Sequence, residues 1–450
     1  MKFIGALLIV LSVVTPASSV FIIAPGVIQQ AGTGAWLSFG IAAIICLFTA
    51  WIYAELSSAF PLTGGEYAIV GRVLGPLPGF IILGLNLVTM IIILAVIALG
   101  IGNYLQFLLP DISVVPAAML TVVATTLFSI LNIRTNAVIT GIFLLLELLA
   151  LGILVWLGFS HPVQSLGDLL YHPVRLATDH TLETTPYAAI GIATSIAIFA
   201  YNGYGAAVYL GEETHNAPKH IARAVLWALS ITVVVEALPV TAVLIGTPDL
   251  PSLLASKNMF GDFVAAAGGQ HLAMGVSAAI ALAILNANIA TTIIVARLLY
   301  STGRDKTWAS GINHALTRIH KRFHSPWVST LICGALALIA CNVDLNILLV
   351  LTGTGLVVIY AALCVAVIVG RKNGATSHAH YKMPIYPLPP ILALIALAYV
   401  VYANFADAEI GRPSLIATAA IMAFAALYYL TILKRRGPWV LISANDKINQ

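Results

Sequence analysis

Two stretches decide how this chain reads: Thr15-Pro16-Ala17-Ser18-Ser19 and Tyr201-Asn202-Gly203-Tyr204-Gly205. The first interrupts the opening apolar run, which resumes through Val20-Phe21-Ile22-Ile23-Ala24-Pro25-Gly26-Val27-Ile28; the second interrupts an apolar run near the centre of the chain. In a bilayer, an unwound stretch frees N–H and C=O groups that lipid cannot satisfy, so it persists only where protein covers it or where it lines a polar cavity. Matched breaks in corresponding segments of two halves are the best pointer in a sequence to the binding site of a membrane carrier.

The setting for those breaks is membrane. Of 450 residues, 60% are hydrophobic and 8% charged, against about 25% charged in an ordinary soluble domain. A span needs about 20 apolar residues. Twelve segments qualify: 3–29, 35–59, 79–109, 114–133, 137–159, 186–210, 221–246, 271–300, 326–343, 346–370, 388–405 and 413–433. Met1-Lys2, the apolar stretch and Pro16-Ala17-Ser18-Ser19 resemble a cleavable signal. A signal's apolar region ends at its cleavage site, whereas this one continues, so the segment reads as a retained first span. Cys46, Cys333, Cys341 and Cys364 fall in apolar segments without metal-ligand spacing and read as core residues. The net charge of +4 reflects basic loops on one side of a membrane and gives no nucleic-acid signal.

Lysine and arginine set the orientation. With the N-terminus inside, 18 of the 21 basic residues fall on the inner side, and only Arg175, Lys257 and Arg412 fall outside. That is the asymmetry of the positive-inside rule, and it makes both termini cytoplasmic. The polar stretches 160–185 and 247–270 lie outside and contain apolar pieces, Leu166 to Leu170 and Leu250 to Leu254, that read as short helices on the outer surface. The stretch 301–325, with Arg304, Lys306, Arg318, Lys321 and Arg322, is an inner basic connector drawn to anionic lipid. The breaks sit in spans one and six. This spacing predicts an all-α fold of twelve transmembrane helices in a five-plus-five inverted repeat, with discontinuous helices 1 and 6. The first repeat then covers 1–159, the second 186–370, two accessory spans 388–433, and a cytoplasmic tail 434–450.

At the first break Pro16 lacks an N–H, and Thr15, Ser18 and Ser19 offer hydroxyls to the freed backbone. A half-helix restarting near Ser19 would aim N–H groups and a positive dipole end at the midplane, which suits a carboxylate. At the second break Gly203 and Gly205 lower the cost of unwinding, and Phe199, Tyr201 and Tyr204 can wall a cavity beside Asn202. The alternatives are a proline kink with serines at a packing face, and glycines for close helix packing. Glu147 and Glu236 lie mid-span, in Leu146-Glu147-Leu148 and Val235-Glu236-Ala237, where an ionisable group by default marks a substrate or proton pathway. Asn86, Asn286, Asn288, Thr352 and Thr354 read as glue between helices. The chain carries no G-x-S-x-G elbow, no H-E-x-x-H and no Walker-type loop, which argues against an enzyme or an ATP-driven pump.

These residues resemble a family. Tyr53-Ala54-Glu55-Leu56-Ser57-Ser58-Ala59-Phe60-Pro61-Leu62-Thr63-Gly64-Gly65-Glu66-Tyr67, followed by Gly75-Pro76 and Gly79-Phe80, is similar to the end of span two and the next loop in amino acid–polyamine–organocation permeases. Phe199-Ala200-Tyr201-Asn202-Gly203-Tyr204 resembles their broken sixth helix, and Glu212-Glu213-Thr214-His215-Asn216-Ala217-Pro218 the motif after it. Ala296-Arg297 with Arg304-Asp305, Ser325-Pro326, and Met383-Pro384-Ile385-Tyr386-Pro387 match further landmarks, so the likeness runs nearly the whole chain.

The resemblance implies alternating access, with substrate between the breaks, held by Ala17, Ser18, Ser19, Phe199, Tyr201, Asn202, Gly203 and Tyr204. Thr15, Pro16 and Gly205 would shape the breaks, and Glu147 and Glu236 would serve coupling. Two departures matter. The family's glycine-containing triplet at the first break is here Ala17-Ser18-Ser19, and a lysine that some proton-coupled members carry in span five is here Glu147. The expectation is a secondary active transporter of amino acids, organic amines or polyamines in a bacterial inner membrane. An exchanger and a non-transporting sensor are the alternatives. Its partners would be the substrate, a coupling ion (H+ ahead of Na+) and the bilayer, with no cofactor, metal or nucleic acid, in a monomer or homodimer.

Overall fold

The opening run folds as α1 (Phe3–Val14), α2 (Pro16–Ser18), a π-helical turn over Ser19–Ile23, and α3 (Ala24–Ala31). Thr15, between α1 and α2, takes φ 48° and ψ 69°, a left-handed conformation uncommon for a β-branched residue. The helix resumes at Pro16 rather than near Ser19, because proline's fixed φ and missing N–H suit the first helical position. The loosened backbone then lies one step later, in the π turn.

The computed structural model describes residues 3–61, 64–108, 111–131, 133–177, 181–256, 258–437, 439 and 441. Lys2, Leu62, Thr63, Asp179, Lys257, Lys447 and most of the tail read over 434–450 therefore lie outside the described residues, as do the side chains of Arg134, Glu212 and Glu213. A 3-10 turn over Gly32–Gly34 leads into α4 (Ala35–Ala59), α5 (Gly65–Leu74), α6 (Pro76–Leu108), α7 (Val114–Ile130) and α8 (Ile133–Ser160). Helix α9 (Leu166–Tyr171) then precedes an antiparallel ribbon of β1 (Val174–Leu176) and β2 (Leu182–Thr184), in the register Arg175 to Glu183. The ribbon was not anticipated. It is pinned to the end of α3 where the Val174 N–H donates to Thr33 Oγ1 at 2.9 Å and Thr185 Oγ1 donates to the Ala31 carbonyl at 3.0 Å.

The second half begins with α10 (Tyr187–Ala200), which stops at the second break and continues as a 3-10 helix over Tyr204–Glu213. The expected single span 186–210 is thus an α-helix of 14 residues followed by ten of 3-10 helix, well beyond the three or four residues common for that geometry. There follow α11 (Ala217–Gly246), α12 (Leu250–Ala255), α13 (Met259–Gly268), α14 (Gln270–Arg304), α15 (Ser310–Leu316), α16 (Trp327–Ala340), α17 (Leu345–Lys372), α18 (Leu388–Ala406) and α19 (Gly411–Tyr428). Helices α9 and α12 fall on the apolar pieces of the two outer stretches, and α12 buries Leu250, Leu253 and Leu254.

Among the described residues, eight segments are long and apolar enough to cross a membrane; the first, Phe3–Ala59, holds two of the spans read from sequence. Helices α7 and α16 fall on the expected spans 114–133 and 326–343 but are shorter, at 17 and 14 residues. The chain is an all-α, multi-pass membrane protein, the short ribbon aside.

At the basic end of the bundle the motifs far apart in sequence meet. Arg371, closing α17, donates from Nε to Glu55 Oε1 at 2.7 Å and from Nη2 to Oε2 at 2.6 Å. The Met383 N–H adds a third bond to Glu55 at 2.8 Å, and the Arg371 guanidinium stacks 4.1 Å above the Tyr386 ring. Glu55 is fully buried. Removing one partner of such a pair costs about 3–5 kcal/mol, because the other charge is left buried and alone. Arg371→Ala should therefore lower the midpoint of thermal unfolding in detergent sharply, and adding Glu55→Gln should recover part of it; a single variant as stable as the parent would contradict this account.

Candidate functional site

The two breaks touch. Gly203 takes φ 119°, and a Cβ placed on it would fall 2.8 Å from Val14 Cα. Only glycine allows both this backbone conformation and this approach, so Gly203 sets the distance between the broken segments. Ser19 Oγ donates to the Ala200 carbonyl at 2.8 Å, satisfying one of the last acceptors of α10 from across the junction.

A cavity of about 60 Å³ opens at the junction. From the first break it is lined by Thr15, Ser18 and Ser19, and from the second by Phe199, Asn202, Gly203 and Gly205. Helices α6 and α14 supply apolar wall, including Ile93, Ile97 and Ile294. Asn202 Oδ1 accepts from Tyr360 Oη at 3.3 Å. Ser18 Oγ is buried and has no hydrogen-bond partner among the described residues.

The other expected residues stand around this cavity without lining it. The Ala17 N–H points away, toward Glu147, and meets its Oε2 at 3.5 Å. Glu147, 2% exposed, reaches this point from α8. The carboxylate in span five thus stands directly behind the first break. Pro16 is buried beside it in sequence. Tyr204 is held by Thr49, hydroxyl to hydroxyl at 2.7 Å, and packs edge-on against Tyr53. Tyr201 also packs against α4, resting edge-on against Phe39. Its hydroxyl has no hydrogen-bond partner among the described residues, and neither oxygen of the fully buried Glu236 has one. Glu236 lies within electrostatic reach of the Tyr201 hydroxyl and of Ser19, so the two orphaned groups share one neighbourhood.

The sequence reading missed one part of the cavity. Glu66 and Tyr209 line it as well. Glu66 had been read only as a letter in a motif, and Asn86 only as glue. In the fold, Tyr53 Oη donates to Glu66 Oε1 at 2.9 Å, Asn86 Nδ2 to Oε2 at 3.2 Å, and Tyr209 Oη also to Oε2. Gly65, at φ 64°, makes this possible, since a Cβ there would fall 2.3 Å from the Tyr209 ring. The available signal was Gly64-Gly65 immediately before an acid at the edge of an apolar run. Asn288 Nδ2, by contrast, bonds the Leu94 carbonyl at 3.4 Å, and Thr354 pairs with Thr418 at 2.9 Å, both between helices.

The family model for amino acid permeases matches residues 1–432. The chain belongs to this family. Its relatives include the branched-chain amino acid permease BcaP of Bacillus subtilis, 23% identical over 82% of this chain and 81% of that protein. The methylthioribose transporter of the same organism is 26% identical over 84% of this chain and 82% of the relative. The low-affinity putrescine importer PlaP of Escherichia coli is 23% identical over 80% and 79%. This permease accordingly stands among transporters of small molecules, not among enzymes.

Gly203 gives the site its first test. In Gly203→Leu, the positive φ and the contact with Val14 cost on the order of 1–3 kcal/mol at the junction. The variant should insert and purify as a single species yet lose substrate binding; unchanged affinity would mean the glycine serves packing alone.

Proposed function

We propose that this permease is a secondary active transporter that carries an amino acid or organic amine across the cytoplasmic membrane, driven by protons. Its twelve spans would form a five-plus-five inverted repeat with both termini in the cytoplasm, and the cavity would open alternately to either side. One observation carries the reading: a cavity bounded by both broken segments, with a buried carboxylate bonded to the backbone of the first. Two relatives' names support the substrate class, branched-chain amino acids and putrescine, while the third names methylthioribose, a sugar thioether without an amine.

Glu147 supplies the coupling step. When ionised, it accepts the Ala17 N–H and holds that donor away from the cavity. When protonated, it loses its charge, and the N–H is free to turn toward a bound anionic or polar group. Proton binding behind the break and substrate binding in front of it then act on the same peptide, which is the shared two-state element that coupling between sites requires. Glu236, with both oxygens unpaired beside Tyr201, is the second group placed to take a proton.

The reading is tested with purified protein in liposomes bearing an imposed proton gradient. Glu147→Gln should fold and bind substrate, but its uptake should no longer respond to the gradient. Uptake by the variant that still follows the gradient would remove Glu147 from the coupling path. Dependence on a sodium gradient alone would replace the proton.

A further inference from the structure

Resting on the transporter reading, we propose that Glu66 is the cavity's cation-binding group and that it receives the ammonium of an amine-bearing substrate. Glu66 is the one carboxylate among the residues lining the cavity, and it is 5% exposed. Its three side-chain partners, Tyr53, Asn86 and Tyr209, are all neutral donors. They are ordered toward the acid: Asn86 Nδ2 also donates to Tyr209 Oη at 2.8 Å, and Tyr209 in turn donates to Glu66. A network of donors converging on a carboxyl group suits the ionised, acceptor-only form.

A carboxylate offers about four acceptor positions. Oε2 receives two of the side-chain donors and Oε1 one, so Oε1 is the less crowded oxygen on the side-chain side. No cation pairs with Glu66 among the described residues; Arg371 is committed to Glu55. A buried anion that lacks a countercharge calls for one, and the cavity is the open space beside it. Ser18 Oγ, 2% exposed and unpartnered, lines the same cavity and offers a second acceptor. The Phe199 ring in the same wall adds a surface that attracts cations. Glu147 is excluded from this role by its position behind Ala17, outside the lining. The two acids therefore divide the work: Glu66 meets substrate charge in the cavity, and Glu147 carries the coupling proton behind the break.

The test is equilibrium binding of radiolabelled putrescine and L-leucine to the purified full-length protein, comparing the parent with Glu66→Gln and Glu66→Asp. The dissociation constant of whichever amine the parent binds should rise by about tenfold or more in Glu66→Gln, the size of a lost charge-assisted hydrogen bond. Glu66→Asp should recover part of that loss, and sodium chloride at matched ionic strength should not displace the probe. Unchanged affinity in Glu66→Gln overturns the assignment, as does a parent that binds neither amine. Displacement by sodium alone overturns it in favour of an inorganic cation. Should Glu66→Gln fail to fold, carbodiimide labelling of the parent decides: putrescine or L-leucine should protect Glu66, read by peptide mass spectrometry, and labelling unaffected by either overturns the proposal. Uptake into liposomes separates this from the transporter reading. Uptake by the parent with equal affinities across the variants sinks only the role of Glu66, and binding without uptake sinks only transport.

Discussion

Everything in this fold follows from the need to satisfy backbone that has left its helix inside an apolar medium. A freed N–H or C=O in that setting costs several kcal/mol unless protein supplies a partner. Here the partners come from elements distant in sequence, Glu147 from α8 in the same half and Ala200 from the other half. The Ala200 carbonyl takes the hydroxyl of Ser19, the Ala17 N–H takes the carboxylate of Glu147, and Gly203 brings the second break against Val14. The breaks are stable only because they meet, and meeting creates a place where polar groups converge without being fully used. The cavity is what the mutual satisfaction of two interrupted helices leaves over.

The acids around that cavity occupy three different situations. Glu147 touches the break itself from behind. Glu66 faces the cavity with three neutral donors on it. Glu236 stands near Tyr201 and Ser19, and neither its oxygens nor the Tyr201 hydroxyl has a hydrogen-bonded partner among the described residues. A charge buried without countercharge tends to neutralise, whereas one supplied with donors tends to stay ionised. The surroundings thus set Glu66 apart from Glu236: one acid has three side-chain donors on it and the other none.

How much of this was legible in the sequence depended on whether helical spacing still held. The apolar segments, the two breaks and the burial of Glu147 and Glu236 could be read, because hydropathy and position along a regular helix are local signals. Direction could not be read past a break. Tyr201 and Tyr204 both reach α4, but at separate points along it, Phe39 and Thr49, a spacing set by the turn at Gly203. Glu66 was missed for a related reason. It lies on α5, outside any apolar run, and it enters the cavity only because Gly65 lets Tyr209 close over it. The ribbon of β1 and β2 carried no alternating pattern over its three-residue strands, so nothing in it announced a strand. The placement of Pro16 was legible in principle, since proline belongs at the first position of a helix rather than in front of one.

The same accounting of partners applies at the basic end of the bundle. Two ties close it. One is the buried ion pair of Glu55 with Arg371, which joins α4 to α17. The other is the bond from Tyr67 Oη to Asp305 Oδ2 at 2.9 Å, which joins α5 to the end of α14. Separating the first leaves a fully buried carboxylate without its cation, at about 3–5 kcal/mol. The second is a hydrogen bond to a charged group, worth about 1.5–3 kcal/mol; Tyr67 Oη also lies 3.2 Å from Ser301 Oγ on α14, and Asp305 has Arg304 beside it at 3.4 Å. The second tie also stands next to the cavity, because α5 carries Glu66 one residue before Tyr67. The tie at the bundle's end and the carboxylate that lines the cavity are thus borne by adjacent residues of one helix, joined through a single peptide unit.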